Sequence, residues 1–257
     1  MNFNEYFVIF WTILRKECER IFRIWPQSLL PSAIMMTLYF LIFGKVIGSE
    51  IKYMSGYSYI DFITPGLIIM AITNNSYSNV VGSFFSDRFN KSIEEVLVSP
   101  MPNHIIILGY ISGGIVRGFI VGLLVCCVSM LFGAFHMSNL WLAIPGAIFC
   151  GSLFALGGLI NGIFSRTFDD TTIIPVFILT PLTYLGGVFF SLNILPPFWK
   201  YIAKLNPIFY IVDFFRYACL GRSTVSPYLS FVAVIIFCVL LYIVAYYCLK
   251  KGIRLKE

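Results

Sequence analysis

Charged residues are scarce in this sequence. Asp, Glu, Lys and Arg together make up 12% of its 257 residues, and only two histidines are present. A soluble domain carries about a quarter charged residues, because charged side chains have to cover its surface. Hydrophobic residues make up 59% of the chain, and the mean hydropathy is +0.87. This excess has to face lipid, so the composition indicates a membrane protein.

Sequence motifs for nucleotide binding, metal binding and proteolysis are also missing. The sequence contains no GxxxxGK[ST] phosphate-binding loop, so ATP binding of the usual P-loop kind is not expected. It has no CxxC pair and no Cys/His pair at metal-ligand spacing, and we interpret its seven cysteines as small apolar fillers. His104 and His136 lie at opposite ends of one apolar run, which argues against an intramembrane serine protease. We therefore expect no catalytic residue, metal site or cofactor in this chain.

Six apolar runs reach the length of about 20 residues that a membrane-spanning helix needs. They cover residues 29–47, 63–85, 105–135, 140–164, 173–195 and 228–249. Eleven Lys and Arg residues fall on the side of the two termini and six on the other side. Because basic residues concentrate on the cytoplasmic side, both termini, including the basic tail 250–257, are predicted to be cytoplasmic. The net charge of +6 is thus explained by membrane orientation, and no nucleic-acid partner is expected.

Residues 1–28 are predicted to form an amphipathic helix in the cytoplasmic interface. Its apolar face consists of Phe7, Trp11, Leu14, Cys18, Ile21, Phe22 and Trp25. Its charged side consists of Glu5, Lys16, Glu19, Arg20 and Arg23. The alternative is a solvated helix that packs on a partner.

The segment 193–227 is apolar but interrupted by Pro196, Pro197 and Pro207 and by charged residues. A full crossing would place those charges at membrane depth, at a cost of about 2.5–3.5 kcal/mol each. Short re-entrant or interfacial helices on the outer face are therefore predicted. If the segment did cross, the C-terminus would lie outside.

The predicted cytoplasmic loop 87–104 contains a capping box, in which Ser92 is the N-cap and Glu95 reaches back to it. A helix of two turns would end at Pro100. Such a short capped helix is suited to transmit force from a cytoplasmic partner, and the alternative is an ordinary structured loop. The next cytoplasmic loop holds Arg166 and Asp169, which offer a second contact.

Polar residues also occur inside the apolar runs. Arg117 is either part of a substrate or ion-pair site, or a side chain that reaches the cytoplasmic surface. Asn74, with Asn75 and Asn79, is predicted to face the bundle, as a structural contact or as a polar wall.

The fifth run contains the most specific pattern. Pro181 and the Gly186-Gly187 pair weaken its helix at mid-membrane. The wider pattern is TPLTYLGGVFFS from Thr180, LPPFW from Leu195, LNP from Leu205 and FFR from Phe214. Together with EEVLVSP from Glu94, this succession resembles the ABC-2 class of ATP-binding-cassette exporter permeases over nearly the whole chain.

The resemblance implies an all-α permease domain, residues 29–249, of a bacterial inner-membrane exporter. It implies a homodimer joined to two copies of a separate ATPase, which would bind ATP and Mg, with membrane lipid around the subunits. The coupling residues it implies, with the second loop, are Ile93, Glu94, Glu95, Leu97, Ser99, Pro100, Arg166 and Asp169. The proposed substrate path comprises Tyr184, Gly186, Gly187, Phe189, Phe190, Asn74 and Arg117. The aromatic members have packing as their alternative role.

Two other classes of function compete with this interpretation. A stand-alone secondary transporter or channel would work without an ATPase, but usually has inverted repeats, and the sequence shows none. A membrane scaffold would bind partners without moving a substrate. Relatives in the resembled class carry different cargoes, so the resemblance assigns none here.

Overall fold

A computed structural model of the chain describes residues 3–93 and 101–254. This part is almost entirely helical, apart from a short antiparallel hairpin, β1 (Tyr53–Met54) and β2 (Tyr57–Ser58). The helices are α1 (Phe3–Arg23), α2 (Trp25–Ile51), α3 (Tyr59–Phe89), α4 (Asn103–Leu131), α5 (Leu140–Phe164), α6 (Asp170–Leu185), α7 (Pro197–Leu205), α8 (Pro207–Leu220) and α9 (Pro227–Lys251). The all-α prediction is thereby confirmed.

Four helices of the described residues, α2, α4, α5 and α9, are long and apolar enough to cross a membrane. The second predicted span, 63–85, falls inside α3, which is long enough but more polar. The fifth, 173–195, starts inside α6, whose 16 residues extend for roughly 24 Å. A bilayer core is about 30 Å thick, so length and composition support four spans, and the six-span count stays a prediction.

The polar composition of α3 is explained by its position at the centre of the bundle. It packs along both α4 and α5, and most of its residues are buried. A helix surrounded by protein does not need the hydropathy of a lipid-facing helix. Its polar side chains find partners instead: Asn75 donates to the Ser32 hydroxyl at 3.1 Å, and Thr73 pairs with the Cys150 thiol at 3.4 Å.

Glycine stripes on α4 and α5 allow this close packing. A Cβ on Gly114 would lie 2.6 Å from Val80, and one on Gly158 would lie 2.5 Å from the Tyr77 carbonyl oxygen. Small residues let helix backbones approach each other closely in a membrane. Both stripes therefore pack against α3 within one chain, and not at a seam between subunits.

The fifth predicted span departs most from a regular helix. Its helix ends at Leu185, well before the predicted boundary at 195, and the chain turns at Gly187, whose φ is +75°. Glycine adopts this left-handed conformation without the steric cost that a side chain brings. The helix is also π-helical over Pro175–Leu179, which loosens it further.

The segment after this turn forms α7 and α8 and no continuous spanning helix. At 9 and 14 residues, each extends for at most roughly 21 Å, less than a bilayer core. The prolines Pro197 and Pro207 each start a helix, where a missing N–H costs nothing. Short helices were predicted for this segment, and their location in the membrane interface stays a prediction.

Candidate functional site

The polar contacts of the bundle concentrate at the two ends of α3. This helix has 31 residues, roughly 46 Å in length. We call its N-terminal end, where the β1–β2 hairpin lies, the hairpin end. We call its C-terminal end, where α1 docks, the α1 end.

At the α1 end, helix α1 docks through a buried carboxylate. The side chain of Glu17 is fully buried and accepts hydrogen bonds from the Ser83 hydroxyl at 2.5 Å and the Asn79 amide at 3.3 Å. Arg20 donates to the same carboxylate at 2.8 Å and to the Asn79 side-chain oxygen at 2.8 Å. The sequence placed Arg20 on the outward charged side, but this pairing turns it inward. A buried ion pair is stable only when its remaining hydrogen bonds are satisfied, as most are here.

Two glycines of α4 make room for α1. A Cβ on Gly109 would lie 2.6 Å from Ile13, and one on Gly113 would lie 2.6 Å from the Cβ of Glu17. The outer side of α1 is aromatic and open: Phe7, Trp11 and Phe22 are each more than half exposed, and so is Trp25 at the start of α2. These four residues belong to the apolar face predicted from the sequence, but Ile21 of that face is buried, and the location of the helix in the interface stays a prediction. The helix is therefore held by protein on one side and offers aromatic side chains on the other.

A second polar group at the α1 end is centred on Asp87 of α3. Its carboxylate pairs with Lys16 of α1 at 2.5 Å and accepts from the Tyr110 hydroxyl of α4 at 2.6 Å. Its backbone carbonyl accepts from the Ser92 hydroxyl at 3.0 Å. Asp87 thereby joins three helices to the start of the predicted coupling loop.

The coupling loop itself is only partly described. Ile93 is fully buried and packs in a cluster that includes Ile107 and Leu159. The other coupling residues of this loop, including Glu95 of the predicted capping box, lie outside the described residues: Glu94, Glu95, Leu97, Ser99 and Pro100. The chain therefore enters the coupling loop from Ile93, which is anchored in the core at the α1 end.

Arginines close the C-terminus of α5 at the same end. Arg88 donates to the carbonyl oxygens of Gly162 at 3.0 Å, Ile163 and Ser165. Arg254, beyond α9, donates to the Phe164 carbonyl at 2.7 Å. The last carbonyls of a helix lack partners within the helix and carry partial negative charge, so the two guanidinium groups stabilise this terminus.

The second predicted coupling loop follows this terminus directly. Arg166 and Asp169 are both exposed there, and the ring of Phe168 packs edge-on against Phe85 of α3 with centroids 4.8 Å apart. The backbone N–H groups of Arg166 and Thr167 donate to the Asp170 carboxylate and hold the pKa of Asp170 below its ordinary value. The structure thus brings Arg166 and Asp169 to the same end of the bundle as Ile93.

Towards the hairpin end, two of the three aromatic residues of the predicted path, Tyr184 and Phe189, belong to one aromatic stack. The ring of Tyr184 lies 5.6 Å from that of Phe189, which in turn lies 4.5 Å from Phe43 and 5.7 Å from Tyr39 of α2. Tyr184 is exposed and Phe189 is buried. Phe190 packs partly buried against the main core. The structure therefore adds Tyr39 and Phe43 to the predicted aromatic group.

The two path glycines are fixed by contacts with α8. A Cβ on Gly186 would lie 2.6 Å from Ile208, so only glycine fits there without a shift. The Gly187 carbonyl accepts a hydrogen bond of 2.7 Å from Arg216. The turn that ends α6 is therefore held from α8.

The polar path residues lie apart from this stack. Arg117 is partly buried on α4, one turn beyond Gly113, and the positive charge of Arg20 repels it. Its Nε has no hydrogen-bond partner among residues 3–93 and 101–254, and no ion pair forms there. Asn74 is partly buried at the middle of α3. The predicted path residues thus include an aromatic group towards the hairpin end, whereas Asn74 on α3 and Arg117 on α4 lie apart from it.

Sequence reasoning missed the buried carboxylate, although a signal was present. Glu17 lies between Ile13 and Ile21 at intervals of four residues, so an acidic side chain stands inside an apolar helical stripe. Within the described part of the chain, the cysteines form no disulfide, and no cluster of three metal-ligating side chains occurs.

Comparisons with known proteins agree with this architecture. A model of the ABC-2 type transporter family matches residues 9–220. The chain is 46% identical over 252 residues to the inner membrane transport permease YadH of Escherichia coli K12, covering 98% of each chain. It is 22% identical over 225 residues to nodulation protein J of Rhizobium leguminosarum bv. viciae, covering 87% of each.

The apolar helices of lipid-spanning length define a multi-pass helical membrane protein. The chain belongs to the ABC-2 type transporter family. The resemblance inferred from its Gly-Gly, Leu-Pro, Asn-Pro and Arg succession is thereby confirmed.

Proposed function

We propose that this chain is the permease subunit of an exporter in the bacterial inner membrane, driven by a separate ATPase. Family membership over residues 9–220 supports transport as its role, and the inner-membrane permease related to it supports this location. The sequence has no phosphate-binding loop of its own, so a partner has to supply ATP hydrolysis.

The proposal rests on the network of polar contacts that links α1, α3, α4 and α5 at the α1 end. Asp87 ties α1 to α3 and α4, and Arg88 ties α3 to the end of α5. The coupling loop continues from Ile93, which is buried at the same end of the bundle. A push on α1 or on the loop is therefore passed directly to three helices of the bundle. We accordingly place the α1 end on the cytoplasmic side, where an ATPase reaches it.

A second copy of the chain is part of the proposal. Helix α6 exposes Val176, Phe177 and Ile178, and α2 exposes a row of apolar side chains that includes Leu38 and Ile42. These faces suit contact with lipid or with an identical subunit. In a homodimer, Tyr184 and Phe189 would line the outward route of the substrate, next to the exposed face of α6.

Purification of the tagged chain from its native membrane tests the ATPase partner. We expect a Walker-motif ATPase to co-purify and the complex to hydrolyse ATP. A Lys16→Ala/Asp87→Ala double variant, which removes one of the polar links between α1 and α3, should weaken stimulation of ATP hydrolysis by cargo. Recovery of transport activity without any ATPase would contradict the proposal and favour a secondary transporter.

A second test reverses charge in the coupling loop. Glu94→Lys/Glu95→Lys should reduce substrate-stimulated ATP hydrolysis, because the loop is proposed to contact the ATPase, while membrane insertion is unchanged. Glu50→Lys is the matched control, since Glu50 is an exposed acidic residue close to the hairpin. If substrate still stimulated ATP hydrolysis normally in the double variant, the loop would not be part of the proposed ATPase contact.

A further inference from the structure

A polar pocket lies at the hairpin end, opposite the proposed ATPase contact. Its volume is about 290 Å³, at the lower limit of small-molecule sites. The residues that line it are Ser55, Tyr57, Phe62, Ser191, Arg216, Leu220, Arg222, Ser223 and Thr224. Hydroxyl groups and two guanidinium groups dominate this lining, and it contains no carboxylate.

Arg216 is the buried cation of this pocket. The residue is 7% exposed, and its guanidinium carbon lies 4.0 Å from the centroid of the Phe62 ring. Its Nη2 donates to the Gly187 carbonyl, but its buried Nε has no partner among the described residues. A buried charge with an unused donor is costly unless another group supplies an acceptor.

The nearby acid does not supply that acceptor. Asp213, one turn before Arg216 on α8, is fully buried and close enough to attract its charge. Its two carboxylate oxygens, however, accept from the backbone N–H groups of Thr224 at 2.7 Å and Val225 at 2.9 Å. Asp213 therefore holds the loop that carries Arg222 and Ser223 over the pocket.

Arg222 adds a second positive charge at the mouth. The residue is exposed, and its guanidinium carbon lies 5.6 Å from the centroid of the Tyr57 ring. With Asp213 counted, the two arginines still leave a net positive charge. Guanidinium groups and hydroxyl donors around a small cavity are the usual recognition set for a phosphate group.

The pocket also adjoins the proposed route. Ser191 follows Phe189 and Phe190 directly, and the Tyr59 hydroxyl donates to the Phe189 carbonyl at 3.1 Å. Arg216 holds the Gly187 carbonyl from the pocket side. A group bound in the pocket therefore contacts the same segment that carries the aromatic stack.

We propose that this pocket binds a phosphate group, carried either by a lipid headgroup or by a soluble molecule. Arg216 is the buried recognition residue and Arg222 the entry residue. The role of the pocket as an outer subsite for a transported phosphate-bearing molecule rests on the proposed function, whereas phosphate binding by the pocket does not.

The test measures thermal stability of the purified chain in micelles of the phosphate-free detergent dodecyl maltoside, without any ATPase. In one arm, inorganic phosphate is titrated against chloride at equal ionic strength. In a second arm, micelles with added phosphatidylglycerol are compared with micelles that contain a neutral glycolipid without phosphate. A ligand that binds only the folded state raises the melting temperature, so binding is read directly.

We expect a rise in melting temperature in at least one arm. A rise with inorganic phosphate identifies a soluble source, and a rise with phosphatidylglycerol alone identifies a lipid headgroup. Arg222→Ala should weaken the apparent affinity by about tenfold, because a hydrogen bond to a charged group is lost. Lys204→Ala, which removes an exposed positive charge from α7 outside this pocket, should leave it unchanged.

Two outcomes would overturn the assignment. One is the absence of a shift in both arms, and the other is an equal response of the Arg222→Ala and Lys204→Ala variants. Arg216→Lys keeps the charge but loses the guanidinium geometry, and should also weaken binding. Because no ATPase is present, a failure here is distinct from a failure to co-purify one.

Discussion

Replacement of Glu17 by alanine is expected to be the most destabilising single change in α1. The variant leaves Arg20 partly buried without its carboxylate partner, and removes the acceptor of Ser83 and Asn79. Loss of one member of a buried ion pair costs about 3–5 kcal/mol, because the remaining charge is uncompensated. A lower melting temperature and reduced yield of the detergent-solubilised protein would show this effect.

Glu19→Ala is the matched control for that variant. Glu19 lies two residues away on the same helix and pairs with Arg15 at 2.7 Å, but both side chains are largely exposed. Exposed pairs contribute at most about 1 kcal/mol. Similar melting temperatures for the two variants would mean that Glu17 does not anchor α1.

Gly158→Ala is expected to disrupt the contact between α5 and α3. The new Cβ would lie 2.5 Å from the Tyr77 carbonyl oxygen and 3.2 Å from the Val81 nitrogen, both backbone atoms of α3. A helix backbone cannot move aside as a side chain does, so the helices have to separate. Overpacking of this kind costs about 1–3 kcal/mol, measured as a fall in the unfolding midpoint of the purified protein.

The neighbouring Gly157→Ala provides the comparison. Its Cβ would lie 3.6 Å from the Tyr77 ring, an ordinary contact, and alanine favours a helix over glycine by up to about 1 kcal/mol. This variant should be neutral or stabilising. Equal melting temperatures for the two variants would mean that the close approach of α5 to α3 at Gly158 does not limit their packing.

Much of the helical architecture could be predicted because local sequence decides it. The apolar runs locate most of the long helices, and local capping sets some ends: the Ser58 hydroxyl accepts from the Asp61 N–H at 3.3 Å at the start of α3. The central position of α3 depends on the surfaces of α4 and α5, which lie far away in the sequence. The asparagines of α3 indicated a protein-facing helix, but not which helices surround it.

The end of α6 shows why the fifth span was harder to predict. The Gly186-Gly187 pair indicated a weak point, but not a stop. What fixes the turn is Arg216, which holds the Gly187 carbonyl from 29 residues further along the chain. The phosphate pocket was missed for the same reason, since its lining comes from three separate segments.

The order of synthesis gives the docking of α1 a consequence for assembly. Glu17 is made first, but its partner Ser83 follows 66 residues later, and Gly113 follows after that. At about 5–20 residues per second, the interval from Glu17 to Gly113 lasts roughly 5 to 20 s. During that time Glu17 and Arg20 lack these partners, so α1 can close onto the bundle only after α3 and α4 have been made.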